Sequence, residues 1–273
     1  MSLWYITVTC FKMKNFFIAI STIVLLTLCA CSKWAGDPIT QSFSIEGTYT
    51  ELDIEDAFTV VVSDTVDQVV ITAGENVMPK VKVINDNGLL QIYLKGWTTN
   101  RGTDLKAIIP YSPDLNKVGL HGASDFHSDF PLRASKVKVD LSGASDFHAD
   151  IEADNVVADL SGSADISGNI TAQTLSLDLS GSSDAALVGQ VSNLKIDFSG
   201  SSSLKRQFNG NQYALACNNC EGSMSGSSDG YIHCDGSIIV KLSGSSDLHY
   251  TGNASTRGSS TSGSSDLIHD VIR

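Results

Sequence analysis

One short phrase, a Gly followed by two small residues and then Asp or Ser, recurs from residue 122 onward and constrains the fold of this chain more than any other feature. Its copies open at Gly122, Gly143, Gly162, Gly181, Gly200, Gly226, Gly244 and Gly263, with successive spacings of 21, 19, 19, 19, 26, 18 and 19 residues. A period held over eight copies means a stacked repeat, in which each unit buries its apolar side against its neighbours.

Six, four and two residues ahead of a repeat Gly the sequence is apolar, with polar residues between: Val137, Val139, Leu141; Leu175, Leu177, Leu179; Leu194, Ile196, Phe198; Ile238, Val240, Leu242. Alternation with period two describes a strand with one buried face. Four residues after the Gly comes a second inward candidate, as in Phe126, Phe147, Ile166, Ala185, Leu204, Leu248 and Leu267. Each repeat therefore holds at least two short strands turned about a Gly, which supplies the positive φ that a Cβ would penalise. No stretch carries apolar residues at helical spacing over ten or more positions, so a helical solenoid is excluded. The fold class is all-β: a right-handed parallel β-helix, or β-solenoid, of about 19 residues per coil, with the hand following the preference of parallel crossover connections. Eight coils at a strand spacing of about 4.8 Å make a rod on the order of 35–40 Å long.

Residues 41–115 alternate in the same way but lack the phrase, and Asn85-Asp86-Asn87-Gly88 is a hairpin signal ahead of Leu89-Leu90-Gln91-Ile92-Tyr93-Leu94. This stretch is expected to be a more irregular, partly antiparallel β region that covers one end of the rod. Residues 41–273 then form a single domain, irregular over 41–115 and regular over 116–273, with a loop expected from Trp97 to Asp104.

The N-terminus carries an address. Met13-Lys14-Asn15 precedes an apolar run from Phe16 to Leu28, the length of a signal-peptide core and too short for a comfortable membrane span. The run ends in Leu28-Cys29-Ala30-Cys31, which resembles a bacterial lipoprotein box. The expectation is an upstream extension and signal peptide over 1–31, lipid attachment at Cys31, a tether over 32–40, and localisation in the bacterial cell envelope, at the outer membrane or cell surface. Two or three acyl chains on one residue suffice for stable anchoring.

Taken together, the lipobox, the opening Phe43–Val62 strands, the bridge Ile108-Ile109-Pro110-Tyr111-Ser112-Pro113-Asp114-Leu115 and the Gly-Ser-Ser-Asp repeats resemble the auto-transporter adhesin, head GIN domain family of Bacteroidetes-type lipoproteins. The resemblance spans roughly residues 43–250. It implies an all-β solenoid-like fold and a role at the cell surface, and it brings no catalytic residues with it.

Candidate chemistry sits in columns. Asp125, Asp146, Asp165, Asp184, Asp229, Asp247 and Asp266 follow the Gly turns, while Asp140, Asp159, Asp178 and Asp197 lie on the outward side of the preceding strand. Asp125, Asp146, Asp165, Asp184 and Asp247 are candidates for a row of calcium sites. The favoured alternative is that each Asp caps its own turn through backbone N–H groups, because the spacing differs from the nine-residue calcium repeat. His127, His148 and His249 are read as surface residues rather than metal ligands, since only two of them fall on adjacent coils. Cys217 and Cys220 lie around the one long spacing; Cys220 and Cys234 point inward in the repeat frame, with Cys234 at the place of Ile151 and Ile170; a disulfide between two of Cys217, Cys220 and Cys234 is one reading, buried thiols the other.

A net charge of −12 without a basic patch excludes nucleic-acid binding. The Asp residues are regular rather than clustered in a groove, so a carbohydrate-cleaving β-helix with paired carboxylates is the least supported reading. The expected function is non-enzymatic: adhesion or surface display through a hydroxyl-rich, acidic face, without a cofactor apart from possible calcium. Its partners are the membrane, through the lipid, and a glycan or protein ligand. The alternative is a polymer-forming, envelope-structural solenoid whose ends stack into a homo-oligomer.

Overall fold

The structure, a computed structural model, describes residues 35–96, 104–205 and 215–270. The lipobox with Cys31, the loop from Trp97 and the last three residues lie outside this range.

Each regular coil is three strand runs around a shared core. In chain order the strands are β1 (Pro38–Phe43), β2 (Glu51–Ile54), β3 (Phe58–Ser63), β4 (Val69–Gly74), β5 (Val81–Asp86), β6 (Leu89–Leu94), β7 (Leu105–Pro110), β8 (Lys117–Leu120), β9 (Asp125–His127) and β10 (Leu132–Leu141). They continue with β11 (Asp146–His148), β12 (Ile151–Leu160), β13 (Asp165–Leu179), β14 (Asp184–Phe198), β15 (Ser203–Leu204), β16 (Leu215–Met224), β17 (Asp229–Leu242), β18 (Asp247–Thr251), β19 (Ser260–Thr261) and β20 (Asp266–His269). From β8 onward every pairing is parallel and joins equivalent positions of successive coils: Phe126 faces Phe147, Phe147 faces Ile166, Leu141 faces Leu160 and Leu160 faces Leu179. The first face follows the Gly turn, the second contains Ile151–Ala153, and the third runs from Asn155 to Leu160. Pairing skips residues 135, 154 and 173, which marks the corner between the second and third faces.

The positions assigned inward by alternation are inward. Val137, Val139, Leu141, Leu175, Leu177 and Leu179 are all buried, as are Phe126, Phe147, Ile166 and Ala185. The Phe126 and Phe147 rings stack at 5.2 Å and 11°, a geometry that in-register parallel coils impose on identical residues. One member of this column, Gly230, has no side chain to contribute. Leu248 from the next coil fills the space, its Cδ1 lying 2.9 Å from where a Cβ on Gly230 would be.

The Gly turns stack directly on one another. Gly162 has φ +83°, and a Cβ there would meet the Gly143 carbonyl oxygen at 2.4 Å. The same carbonyl accepts the Ser163 N–H at 2.7 Å. Glycine is thus required twice over, by the left-handed backbone and by the carbonyl of the coil beneath.

The column begins one coil earlier than the phrase. Below Gly122 lies Asp56, a non-glycine residue at φ 73°, and Ala123 N–H bonds its carbonyl at 2.7 Å. Its carboxylate accepts the Leu94 N–H at 2.7 Å. An Asp tolerates the left-handed region where its side chain finds a local donor, so β2 and β3 form a true coil without the glycine that makes the others legible.

Residues 64–116 are then an excursion between two stacked coils. β8 pairs with β2 and β9 with β3, across the whole inserted stretch. The excursion covers the other side of that first coil, with β6 parallel to β2 and β7 parallel to β3. Beyond them the ladder turns antiparallel: β5 on β6, β4 on β7, and β1 on β4. The hairpin signal holds, with Asn87 and Gly88 at φ 52° and 88° between β5 and β6. The first strand starts at Pro38, inside the stretch read from sequence as a tether.

Candidate functional site: the polar outer faces

Because successive coils align residue for residue, outward side chains form columns. The third face is the broadest, with three of them. One holds Lys136, Asn155, Thr174, Asn193, Asn219 and Ser237; the next Lys138, Val157, Ser176, Lys195, Glu221 and Ile239; the last Asp140, Asp159, Asp178, Asp197, Ser223 and Lys241. The face is tied together mainly between coils. Asn219 Nδ2 donates to Asn193 Oδ1 at 3.1 Å, Ser237 Oγ donates to Asn219 Oδ1 at 2.9 Å, and Ser223 Oγ donates to Asp197 Oδ1 at 3.0 Å. Lys195 pairs with Glu221 at 3.1 Å. A depression on this face is lined by Thr174, Asn193, Lys195, Asn219, Glu221 and Ile239, with Leu194 and Cys220 beneath. Ile239 is 50% exposed at its rim. The depression thus presents amide, hydroxyl, ammonium and carboxylate groups, donors and acceptors both, beside one exposed aliphatic side chain.

The stacking of like charges has a measurable cost. Lys138 bridges Asp140 and Asp159 at 3.3 and 3.2 Å, but Asp178 sits between Asp159 and Asp197, and partial burial with these two neighbours raises its pKa. On the first face Asp125, Asp146, Asp165 and Asp184 stack in register. Burial first, then Asp165 and Asp125, raise the pKa of Asp146. Above Asp184 the column passes through Ser203 to Asp229, Asp247 and Asp266, and the ammonium of Lys205, beside the column, lies 2.8 Å from Asp184.

These turn Asp residues do not cap their own turns, contrary to the favoured sequence reading. Their contacts run between coils: Asp125 accepts from Thr59 Oγ1 at 3.3 Å, and Asp247 from the Asp266 N–H at 2.9 Å. The turn is closed instead by the Ser that stands two residues after every repeat Gly except Gly162, where the residue is Ala164. Ser183, Ser228 and Ser246 are fully buried, and each donates to the carbonyl three residues back, at 2.9, 3.1 and 2.9 Å. Their recurrence in seven of the eight copies was visible in the phrase. That they, and not the Asp, hold the turn follows from burial, because the Ser side chain points into the rod and the Asp side chain out of it.

Among the described residues no group of three or more His, Cys, Asp or Glu side chains converges to hold a metal ion. The His127 and His148 rings stack at 5.0 Å, while His249 stacks on Tyr231 and pairs with Asp270 at 3.3 Å. His121, unremarked in the sequence, joins Asp53 at 3.4 Å to Ser142 at 2.7 Å, across the end of the first coil.

All three cysteines are buried, and Cys220 occupies the column of Leu194 and Ile238. Cys234 is displaced from the place its count after Gly226 assigns to it. It faces Cys217 and stands in the column of Val191 and Ala172, one inward step beyond Ile170. The coil that starts at Gly226 reaches its second face two residues sooner than its predecessors, so counting from the Gly misplaces the residue while preserving its inward direction.

An all-β solenoid whose N-terminal end carries antiparallel strands and whose outer faces are polar defines a class of β-solenoid scaffold. A sequence model described as "Putative auto-transporter adhesin, head GIN domain" matches residues 48–254, and the chain belongs to that family. Among solved structures, a "putative lipid binding protein" from Parabacteroides distasonis is 20% identical with a TM-score of 0.70, covering 86% of this chain and 98% of that one. A "putative adhesin" from the same organism is 17% identical with a TM-score of 0.72 and the same coverage. A "putative adhesin" from Parabacteroides merdae is 15% identical with a TM-score of 0.65, covering 86% and 97%. At these identities the likeness concerns the fold. No functionally curated protein matches the sequence.

Proposed function

We propose that this chain is a lipid-anchored adhesin of the cell envelope that binds a glycan through the third face of its solenoid and catalyses no reaction. The observation that carries the reading is the depression at Asn193, Lys195 and Asn219: pre-aligned amide, ammonium and carboxylate groups on a rigid sheet beside the exposed Ile239. A rigid array loses little conformational entropy on binding, which favours weak polar contacts repeated along a chain of sugars. Membership of the adhesin family and the lipobox ending at Cys31 support placement at the cell surface. The Asp columns enter as water-exposed spacers, with calcium as an optional ligand of Asp125, Asp146, Asp165, Asp184 and Asp247.

The test is binding of the purified protein to a glycan array and to a panel of matrix proteins, with calcium and with chelator. Saturable glycan binding supports the reading, and dependence on calcium would assign ions to the Asp columns. A blank on every glycan in both conditions contradicts it. Envelope-structural stacking is the second reading. It rests on one observation: among the described residues no strand pairs with the outer side of β19 and β20, whereas β6 and β7 pair with the outer side of β2 and β3.

A further inference from the structure

Cys217, Cys220 and Cys234 lie where the repeat is least regular, beside the 26-residue spacing and at a shift in register between Cys217 and Asn219. We infer that Cys217 and Cys234 form a disulfide that staples the sixth Gly coil to its predecessor, leaving Cys220 as a protected thiol.

The topology selects this pair. Cys217 and Cys234 are directly opposed on adjacent parallel strands, both inward and buried. Neighbouring strands lie about 4.8 Å apart, within the Cα window a disulfide requires. The Cys234 thiol donates to the Asn218 carbonyl at 3.2 Å, on the strand that carries Cys217 opposite it.

The other two pairings fail on the same criteria. Cys217 and Cys220 are three residues apart along one extended strand, roughly 10 Å, which exceeds the reach of a disulfide. Cys220 faces Leu194 and Ile238 in its column rather than a thiol. Burial pushes its pKa up and keeps it protonated and unreactive.

The reaction balances with a small-molecule disulfide such as oxidised glutathione. One protein thiolate attacks the oxidant and releases one glutathione thiol. The second protein thiol loses its proton and displaces the other glutathione thiol, so two electrons and two protons pass to the oxidant. In the folded coil both sulfurs are enclosed, so the bond forms as the coil docks.

The experiment is to refold the full chain in a glutathione redox buffer, block free thiols with iodoacetamide in denaturant, then reduce and label with N-ethylmaleimide. Cleavage after Glu221 separates Cys234 from the peptide that carries both other cysteines. The inference requires the maleimide on Cys217 and Cys234 and the acetamide on Cys220. It also requires that reduction lower the melting temperature, by roughly 5–10 °C for a loop of this length, and that Cys220→Ser keep both the link and that shift. Iodoacetamide on all three cysteines, or a link that includes Cys220, overturns it.

Discussion

The N-terminal region up to Asn116 and the coils from Lys117 onward reach the same stacked geometry by different means, and the difference shows what a repeat phrase encodes. In the coils each residue type is fixed by its column: Gly because the carbonyl beneath leaves no room, Ser because its hydroxyl closes the turn from inside, an aliphatic or Phe because the core column demands volume. In the N-terminal region the same coil is assembled from β2 and β3 without Gly, and its neighbours β6 and β7 arrive from a distant part of the chain. There, non-local pairing and a few specific contacts replace the phrase. Asp56 binds the Leu94 N–H, the buried Tyr49 hydroxyl donates to the Pro110 carbonyl, and Ser112 Oγ donates to the Tyr49 carbonyl at 2.5 Å.

Breaking the column in the coils should have the largest effect. Gly162→Ala combines a left-handed backbone penalty with a Cβ placed 2.4 Å from the Gly143 oxygen, and a loss of about 3–5 kcal/mol is expected in chemical denaturation. The equivalent turn in the N-terminal region should respond differently. Asp56→Ala removes the acceptor of the Leu94 N–H and leaves a strained φ, for an expected loss of about 2–3 kcal/mol, whereas Asp56→Asn keeps both acceptor and tolerance and should cost less than about 1 kcal/mol. A large loss for the Asn variant would show that charge, rather than the hydrogen bond, holds that turn.

A smaller effect separates the turn Ser from its natural exception. Ala164 stands where other coils have Ser. Ser183→Ala should therefore cost about 1 kcal/mol, and Ala164→Ser should recover a similar amount if its hydroxyl reaches the carbonyl three residues back.

The smallest effect comes from the Asp column. The pKa of Asp146 is raised in the folded chain. The folded state therefore binds the proton more tightly than the unfolded state, and stability falls as pH rises from the ordinary carboxylate range through the raised value. Asp146→Asn should stabilise the protein at neutral pH by less than about 1 kcal/mol, given solvent screening of an exposed group, and the gain should vanish in acid. Denaturation of both proteins at pH 7 and near pH 4 distinguishes this from a column held together by attraction, for which the substitution would destabilise at neutral pH.

Much of the solenoid was legible because a period-two pattern and a Gly phrase are local signals repeated many times. The coil around Asp56 was not, because an Asp at positive φ looks like any other Asp until its carboxylate partner, 38 residues away, is known. The hydrogen bond that closes the turn was assigned to Asp rather than to Ser in the sequence reading for a related reason. Both residue types cap turns well, and only the direction of each side chain, inward for Ser183 and outward for the Asp beside it, decides between them. Cys234 was placed in the wrong column because counting from the preceding Gly assumes coils of one length, and the coil from Gly226 is shorter. The depression at Asn193 and Asn219 could not be seen at all, since it depends on which residues the 26-residue spacing brings into register.

The central claim is that the third face binds a glycan, and its most direct test compares the native protein with Asn193→Ala/Lys195→Ala on the glycans that score in the array. The double variant also removes the Asn219–Asn193 hydrogen bond and the Lys195–Glu221 pair, so melting should fall by only a few degrees, while affinity in the fully folded protein falls about tenfold or more, as the loss of one or two polar contacts implies. Unchanged glycan affinity in the double variant would contradict the claim.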